Sequence, residues 1–172
     1  MIKLVTFLGN PGRQYEFTRH NVAWLIADEL SKNFALNWQT KFKGLYCHQR
    51  VGGQSVYFLK PETFMNKSGE SVVALTQFFK IEPRQMLVVH DDIELDFGWC
   101  GIKKGGGLAG HNGLRSIATL LGTRDFFRLR IGVSRPVHGS VNSYVLSKFS
   151  RDELIMLPLL IKKTTRLLET CL

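Results

Sequence analysis

The sequence predicts an α/β fold: a single domain over residues 1–172 with three layers, in which a twisted, mixed and mostly parallel central sheet is flanked by helices. Short apolar runs typical of buried strands alternate along the chain with segments of helical periodicity, and this alternation favours parallel strand pairing. The turn Gly52-Gly53-Gln54 separates two strand-like runs, so it adds an antiparallel hairpin. A chain of 172 residues is long enough to close one hydrophobic core.

The apolar spacing places these elements in order. Strands are predicted at 4–8, 45–51, 55–59, 86–89 and 126–133, and helices at 21–34, 68–79, 114–121 and 151–168. Gly122 ends the third helix, and Pro158 is expected to kink or break the last one. In the last strand the apolar residues alternate with Arg128 and Arg130, which are therefore expected on its outward face.

The charge balance indicates a polyanionic partner. Lys and Arg number 23 against 14 Asp and Glu, so the formal charge is +9 and the pI is about 9.7. Nucleic acid is the first candidate, and a merely solubilising surface is the alternative. The three cysteines form no CxxC pair and are odd in number, so the sequence suggests neither a disulfide framework nor a zinc site. No stretch approaches the ~18 apolar residues of a membrane span, so we expect a soluble, cytoplasmic protein.

Polar residues follow several of the predicted strands. Asn10 comes after the first strand, Asn66 after the hairpin, and Asp91 after the run Val88-Val89-His90. The turn Gly110-His111-Asn112-Gly113 opens a helix instead. Ligands of α/β proteins gather at the carboxyl ends of the strands, so these segments are expected to form one site.

The residue types of this site suggest hydrolysis by an activated water. His20 is the candidate general base, and Asp91 can accept its Nδ1–H, fix its tautomer and stabilise the imidazolium. Asp92 is expected to be solvated. The amides of Asn10, Asn66 and Asn112 can orient a water or a peptide, although turn roles, and a helix N-cap role for Asn66 or Asn112, are alternatives. A purely structural histidine is the alternative for His20.

A basic glycine-rich segment follows Asp92. Lys103 and Lys104 precede Gly105-Gly106-Gly107, which matches neither a Walker A loop nor GxGxxG between a strand and a helix. A loop that clamps a nucleic-acid backbone is favoured over a nucleotide-triphosphatase, and a mobile linker is the alternative. For Arg130 the alternative to phosphate binding is a surface ion pair.

Taken in order, these segments resemble the bacterial peptidyl-tRNA hydrolase family. The resemblance covers about residues 3–150 and rests on four motifs and a late strand: Leu8-Gly9-Asn10-Pro11-Gly12 with Thr18-Arg19-His20-Asn21, Lys60 to Gly69 through Phe64-Met65-Asn66, His90 to Asp96, Gly110 to Ser116, and Arg128 to Val133. Such long motifs in one order make a chance match very improbable.

The resemblance implies a monomeric enzyme without metal or cofactor that needs no protein partner and touches no membrane. Its substrate would be peptidyl-tRNA, cleaved at the ester to the 3′-terminal ribose. His20 would activate water, Asp91 would hold His20, and Asn10 would help to select N-blocked peptidyl groups. The remaining residues would bind substrate: Asn66 and Asn112 its backbone and terminal nucleotide, Tyr15, Phe64 and Met65 the peptide and adenosine, and Lys103, Lys104 and Arg130 the tRNA phosphates.

Two departures and two alternatives accompany this resemblance. Members of the family usually carry a basic residue where this chain has Gly101, and Lys104 is expected to compensate. The chain is also somewhat shorter than the family, which implies an abbreviated last helix.

A non-catalytic RNA-binding module on the same fold is one alternative, although such a module would be expected to lack His20 or Asp91. The other is a nucleotide-binding enzyme that uses Gly105-Gly106-Gly107.

Overall fold

A computed structural model describes residues 1–172. Seven strands and five α-helices follow one another as β1 (Leu4–Phe7), α1 (Val22–Phe34), β2 (Gln39–Lys41), β3 (Gly44–Val51), β4 (Gln54–Pro61), α2 (Ser68–Phe79), β5 (Met86–Asp92), β6 (Cys100–Lys104), α3 (Asn112–Leu121), β7 (Phe127–Gly132), α4 (Val141–Val145) and α5 (Arg151–Glu169). Short 3₁₀ turns at Arg19–Asn21 and Met65–Lys67 lead into α1 and α2.

All strands belong to one sheet with the order β2-β3-β4-β1-β5-β7-β6. The four central strands β4, β1, β5 and β7 pair in parallel. The hairpin strands β2, β3 and β4 pair antiparallel, and so does β6 with β7. This arrangement confirms the predicted α/β class with a mixed, centrally parallel sheet between helices.

The two faces of the sheet carry different amounts of apolar core. A cluster of 22 buried residues lies between the sheet and α1 and α5, whereas 12 buried residues lie on the opposite face with α2 and α3. On the second face the outer end, at β7 and β6, carries Arg128, Arg130 and Lys103 instead of apolar side chains. At β7 and β6, alternation along the strands thus places apolar side chains on one face of the sheet and basic side chains on the other.

The fold differs from the sequence-based expectation in several features, among them the short helix α4, which was not predicted. β5 continues to Asp92 because its polar residues still pair with β7, for example His90 with Arg130. β2 and β6 were not predicted, since neither carries a run of apolar residues. Helix α5 is not broken by Pro158, which lies on its exposed side where water can reach the unpaired carbonyl of Leu154.

No helix of the structure has both the length and the apolar character needed to cross a membrane.

Candidate active site

Asp91 and His20 meet at the carboxyl edge of the sheet. His20 lies in the 3₁₀ turn before α1, and its Nδ1 is 2.9 Å from each carboxylate oxygen of Asp91 near the end of β5. Both residues are almost completely buried. The expected pairing of His20 with Asp91 is therefore present in the geometry of the structure.

A second histidine shares the same carboxylate. His111 Nε2 lies 2.9 Å from Asp91 Oδ1, while His111 Nδ1 accepts the backbone N–H groups of Gly113 and Leu114 at 3.2 and 3.3 Å. His111 is the N-cap of α3 and Lys67 is that of α2, so the alternative in which Asn66 or Asn112 caps a helix is wrong. The sequence reasoning gave His111 no role. The available signal was its position directly before a helix, where a capping side chain is needed.

These contacts determine which nitrogens carry protons. His111 Nδ1 accepts two hydrogen bonds, so the proton of a neutral His111 is on Nε2 and is donated to Asp91. With Asp91 ionised, His20 likewise donates from Nδ1. A neutral His20 then has an unprotonated Nε2, which is the state that a general base requires.

The charge of Asp91 is maintained despite its burial. Burial alone would raise the pKa of this carboxyl, but the charges and hydrogen bonds of His20 and His111 outweigh that effect and lower its pKa well below the ordinary range. Asp91 is thus an ionised acceptor at neutral pH. It can stabilise a positive charge that develops on His20 during proton transfer.

The cavity beside this pair has a volume of about 330 Å³. Its polar wall includes His20, Asp91 and His111. Apolar side chains also line it, namely Leu108, Leu114, Val141 and Val145. A catalytic group at the wall of a partly apolar cleft is the usual arrangement of a substrate site.

Asn10 does not line this cleft; it is buried, is linked through Asn21 to the turn that carries His20, and is already hydrogen-bonded. Its backbone N–H and C=O exchange two 2.9 Å bonds with the side chain of Asn21, and its Oδ1 accepts the N–H of Met65 at 2.8 Å. The side-chain Nδ2 of Asn10 makes no hydrogen bond within the chain. This donor is the part of Asn10 that remains available to a substrate.

Asn66 and Asn112 lie near each other but not on His20. Both are exposed and line a shallow pocket with Arg115 and Ser116, and Asn112 also lines the main cavity. No hydrogen bond joins either amide to His20. Their donors and acceptors therefore face solvent beside the cleft.

The predicted aromatic and thioether residues have different environments. Tyr15 and Phe64 pack edge to face, with ring centroids 6.5 Å apart, and the exposed fraction of Phe64 is 57%. Met65 is buried in the core of the α2–α3 face. Phe64 thus presents apolar surface to solvent, whereas Met65 supports the site from below.

Asp92 is not solvated, and the expectation that it would be is wrong. Its Oδ2 accepts Arg130 Nε at 2.7 Å, and its Oδ1 accepts the N–H of Glu94 at 2.9 Å. The alternation of β5 directs Asp92 to the face opposite Asp91, where Arg130 is its neighbour on β7. Arg130 is correspondingly a partly buried member of an ion pair.

The other basic residues lie around the glycine-rich loop. Arg128 was expected to face outward, but it is buried and donates to the carbonyl of Gly107 at 2.7 Å. Lys103 is exposed on the same face of the sheet, and Lys104 contacts Asp125 at 3.2 Å. Burial, together with the charges of Arg130 and Arg124, lowers the pKa of Arg128. Positive charge is therefore concentrated here.

One group of side chains has the composition of a metal site. Ligand atoms of His20, Asp91 and His111 lie within 4.8 Å of one another. Each histidine donates an N–H to the carboxylate of Asp91, so hydrogen bonding alone accounts for this geometry.

Comparisons with known proteins assign the chain to a family. The family model described as peptidyl-tRNA hydrolase matches residues 4–172. The chain belongs to the peptidyl-tRNA hydrolase family. A peptidyl-tRNA hydrolase of Treponema pallidum is 49% identical over 174 residues, covering 97% of this chain and 85% of the relative. One of Desulfitobacterium hafniense is 44% identical, covering 94% and 88%.

A solved structure supports the same assignment. The crystal structure of peptidyl-tRNA hydrolase from Acinetobacter baumannii superposes with a TM-score of 0.90 at 34% identity, covering 98% of this chain and 89% of that chain. The resemblance inferred from the motifs is thereby confirmed, and so is the fold of this peptidyl-tRNA hydrolase family member.

Proposed function

We propose that this chain hydrolyses the ester that joins a peptide to the 3′-terminal ribose of tRNA, with His20 as the general base. Membership of the peptidyl-tRNA hydrolase family supports the substrate. The observation that carries the chemistry is the bond from His20 Nδ1 to Asp91, which leaves Nε2 as the free basic nitrogen in a residue lining the cleft.

In the proposed reaction His20 Nε2 takes a proton from water while the water oxygen attacks the ester carbonyl. Asp91 stabilises the imidazolium, and His111 keeps the carboxylate of Asp91 in place. The tetrahedral intermediate then breaks its bond to the ribose 3′ oxygen, which receives the proton from His20. The products are a peptide carboxylate and a tRNA with a free 3′ hydroxyl.

The proposed substrate contacts surround this centre. The free Nδ2 of Asn10 is suited to a peptide carbonyl or to the developing oxyanion. The other proposed contacts are Asn66 and Asn112 for the terminal nucleotide and peptide backbone, Tyr15 and Phe64 for apolar parts, with the buried Met65 beneath them, and Lys103, Lys104 and Arg130 for phosphates. We also propose that the active form is a cytoplasmic monomer.

An isotope experiment tests this function. The chain is incubated with N-acetyl-aminoacyl-tRNA in ¹⁸O-enriched water, with free aminoacyl-tRNA in a parallel reaction. We expect one ¹⁸O in the released carboxylate, an intact tRNA, and little hydrolysis of the free aminoacyl ester. Cleavage within the RNA, or no release at all, would exclude the proposal.

A further inference from the structure

Trp99 precedes β6 and its ring lies over a glycine. A Cβ built on Gly101 would be 2.4 Å from Trp99 Cη2 and 2.7 Å from Cζ3, so only glycine leaves room for the ring at this position. Gly101 is opposite Arg130 in the β6–β7 register. The indole therefore lies on the basic face of the sheet, and the exposed fraction of Trp99 is 46%.

The indole N–H of Trp99 also differs from those of the other two tryptophans. Trp24 Nε1 donates to the carbonyl of Phe7 at 3.1 Å, and Trp38 Nε1 donates to Ser31 Oγ at 2.9 Å. Trp99 Nε1 has no partner within the chain. Trp24 and Trp38 thus serve the packing of the fold, whereas Trp99 presents both a ring and a donor to solvent.

Basic side chains surround this exposed ring. Arg130 lies across from Gly101, and Lys103 lies across from Arg128 on the same face. A Cβ on Gly106 would be 2.8 Å from Arg128 Nη2 and 3.2 Å from Lys103 Nζ, so these two cations approach the same point. An exposed aromatic ring beside cations that can hold a backbone is the arrangement that binds single-stranded nucleic acid.

The position of Trp99 relative to the active site fits this type of ligand. Asp91, Ile131 and Cys100 are aligned across three neighbouring strands, and Trp99 is next to Cys100. Two strand spacings separate β5 from β6, a distance of about 10 Å. The ring lies on the sheet face of His90 and Arg130, opposite to that of Asp91, so a single strand of a few nucleotides that passes over the carboxyl edge can join it to the ester carbonyl that water attacks in the proposed reaction.

We propose that Trp99 is a stacking platform for an unpaired base at the 3′ end of the tRNA substrate. The base stacks on the open face of the indole, while Lys103 and Arg130 hold the neighbouring phosphates. This inference rests on the proposed function, because that function makes tRNA the ligand. It adds a binding residue that acts through its aromatic surface and not through charge.

Fluorescence tests the stacking directly. The probes are an RNA duplex with a four-nucleotide 3′ overhang and the same duplex with blunt ends. We expect the overhang to quench the tryptophan emission of the wild type and the blunt duplex to leave it nearly unchanged. The quench is absent in Trp99→Leu. Equal quenching by both duplexes, or an undiminished quench in Trp99→Leu, contradicts the proposal.

Kinetics with N-acetyl-aminoacyl-tRNA separate stacking from charge. Trp99→Leu is expected to raise KM about tenfold, within the range of one lost stacking contact, whereas Trp99→Phe keeps most of the affinity. Gly101→Ala, which displaces the ring, raises KM as well. The salt dependence of binding stays unchanged in Trp99→Leu but falls by about one unit of slope in Arg130→Gln. Phe78→Leu removes an exposed aromatic ring elsewhere and is the matched control.

These results also distinguish this inference from the proposed function. If the wild type hydrolyses the substrate and Trp99→Leu has an unchanged KM, the stacking platform is excluded while the hydrolase stands. If the wild type has no activity but the overhang still quenches Trp99, the hydrolase fails and RNA stacking stands.

Discussion

At the scale of single residues, Asp91 connects the two histidines of the active site. Its carboxylate accepts a hydrogen bond from His20 on one side and from His111 on the other, so the orientation of each ring depends on the same group. Because the pKa of Asp91 is lowered in the folded protein, this pairing contributes stability that is complete above the ordinary carboxyl pKa and decreases progressively as the pH falls below it, towards the lowered pKa of the folded state.

The two roles of His111 can be separated by substitution. His111→Asn keeps a good N-cap for α3 but loses the bond to Asp91, whereas His111→Ala loses both. We expect kcat to fall roughly 10- to 100-fold in both variants because His20 and Asp91 lose alignment. Thermal unfolding should show a loss of about 1 kcal/mol in the alanine variant only. An asparagine variant with wild-type kcat would show that His111 is merely a cap.

The buried His90 is expected to lower the free energy of unfolding in mild acid. Burial, reinforced by the charge of His111, lowers the pKa of His90 from 6.5 to about 3. The unfolded chain therefore binds a proton between these values that the folded chain does not, and stability falls as the pH drops below 6.5. Urea unfolding at pH 7, 5.5 and 4.5 should show a smaller decline in His90→Asn. His48→Asn, at an exposed site, should retain the decline, and equal declines in all three proteins would contradict this account.

At the scale of elements, Arg19 connects the turn that carries His20 to the start of α5. Its Nε and Nη2 donate to the two oxygens of Glu153 at 3.0 and 2.6 Å, and the same carboxylate accepts the N–H of Ser150 in a capping box. The Arg19 side chain is only 8% exposed. The position of His20 thus depends on a contact with a residue that lies 134 positions after Arg19 in the chain.

Removing the carboxylate of Glu153 is expected to destabilise the folded protein. Glu153→Ala leaves a buried guanidinium without its counter-ion, and we expect the free energy of unfolding to fall by about 3 kcal/mol. Turnover should fall as well, because Arg19 precedes His20. Glu29→Ala removes an exposed partner of Lys32 and should change stability by less than about 0.5 kcal/mol. If chemical denaturation gives equal losses for both variants, Arg19 does not act as described.

Elements with regular apolar spacing could be predicted from the sequence, and those without it could not. The helices α1 and α2 were predicted to within one residue because their buried positions recur at helical spacing. The edge strand β6 was missed because Gly101, Lys103 and Lys104 leave it little apolar pattern. In β5 the polar residues were taken for a loop, although the neighbouring strand β7 buries them.

The same distinction applies to the candidate site. His20 and Asp91 could be paired because each stands out chemically at the end of a predicted element. The bonds from His111 to Asp91 and from Arg130 to Asp92 join residues 20 and 38 positions apart. The pairing of His20 with Asp91 followed from the chemistry of a base and its orienting carboxylate, whereas nothing in the sequence marked His111 or Arg130 as a partner, so the shared carboxylate and the buried state of Asp92 required the structure.

At the scale of the whole molecule, charge and chemistry occupy neighbouring parts of one sheet edge. The net charge of +9 supplies a long-range attraction for a polyanion, while Lys103, Arg128 and Arg130 concentrate positive charge beside the cleft. The His20–Asp91–His111 group lies on the adjoining strand, where the carboxyl ends of the parallel strands meet. In the proposed function, binding of the nucleic acid and cleavage of its ester therefore belong to different residues.

The role of His20 as general base is tested most directly by single-turnover hydrolysis of N-acetyl-aminoacyl-tRNA by the His20→Ala variant, together with the affinity of this variant for deacylated tRNA. Loss of the general base should slow hydrolysis by at least about 10²-fold while the tRNA affinity stays within about twofold of the wild type. His48→Ala, which removes an exposed histidine, should match the wild type in both. Retained hydrolysis in His20→Ala would contradict the assignment of His20 as the base.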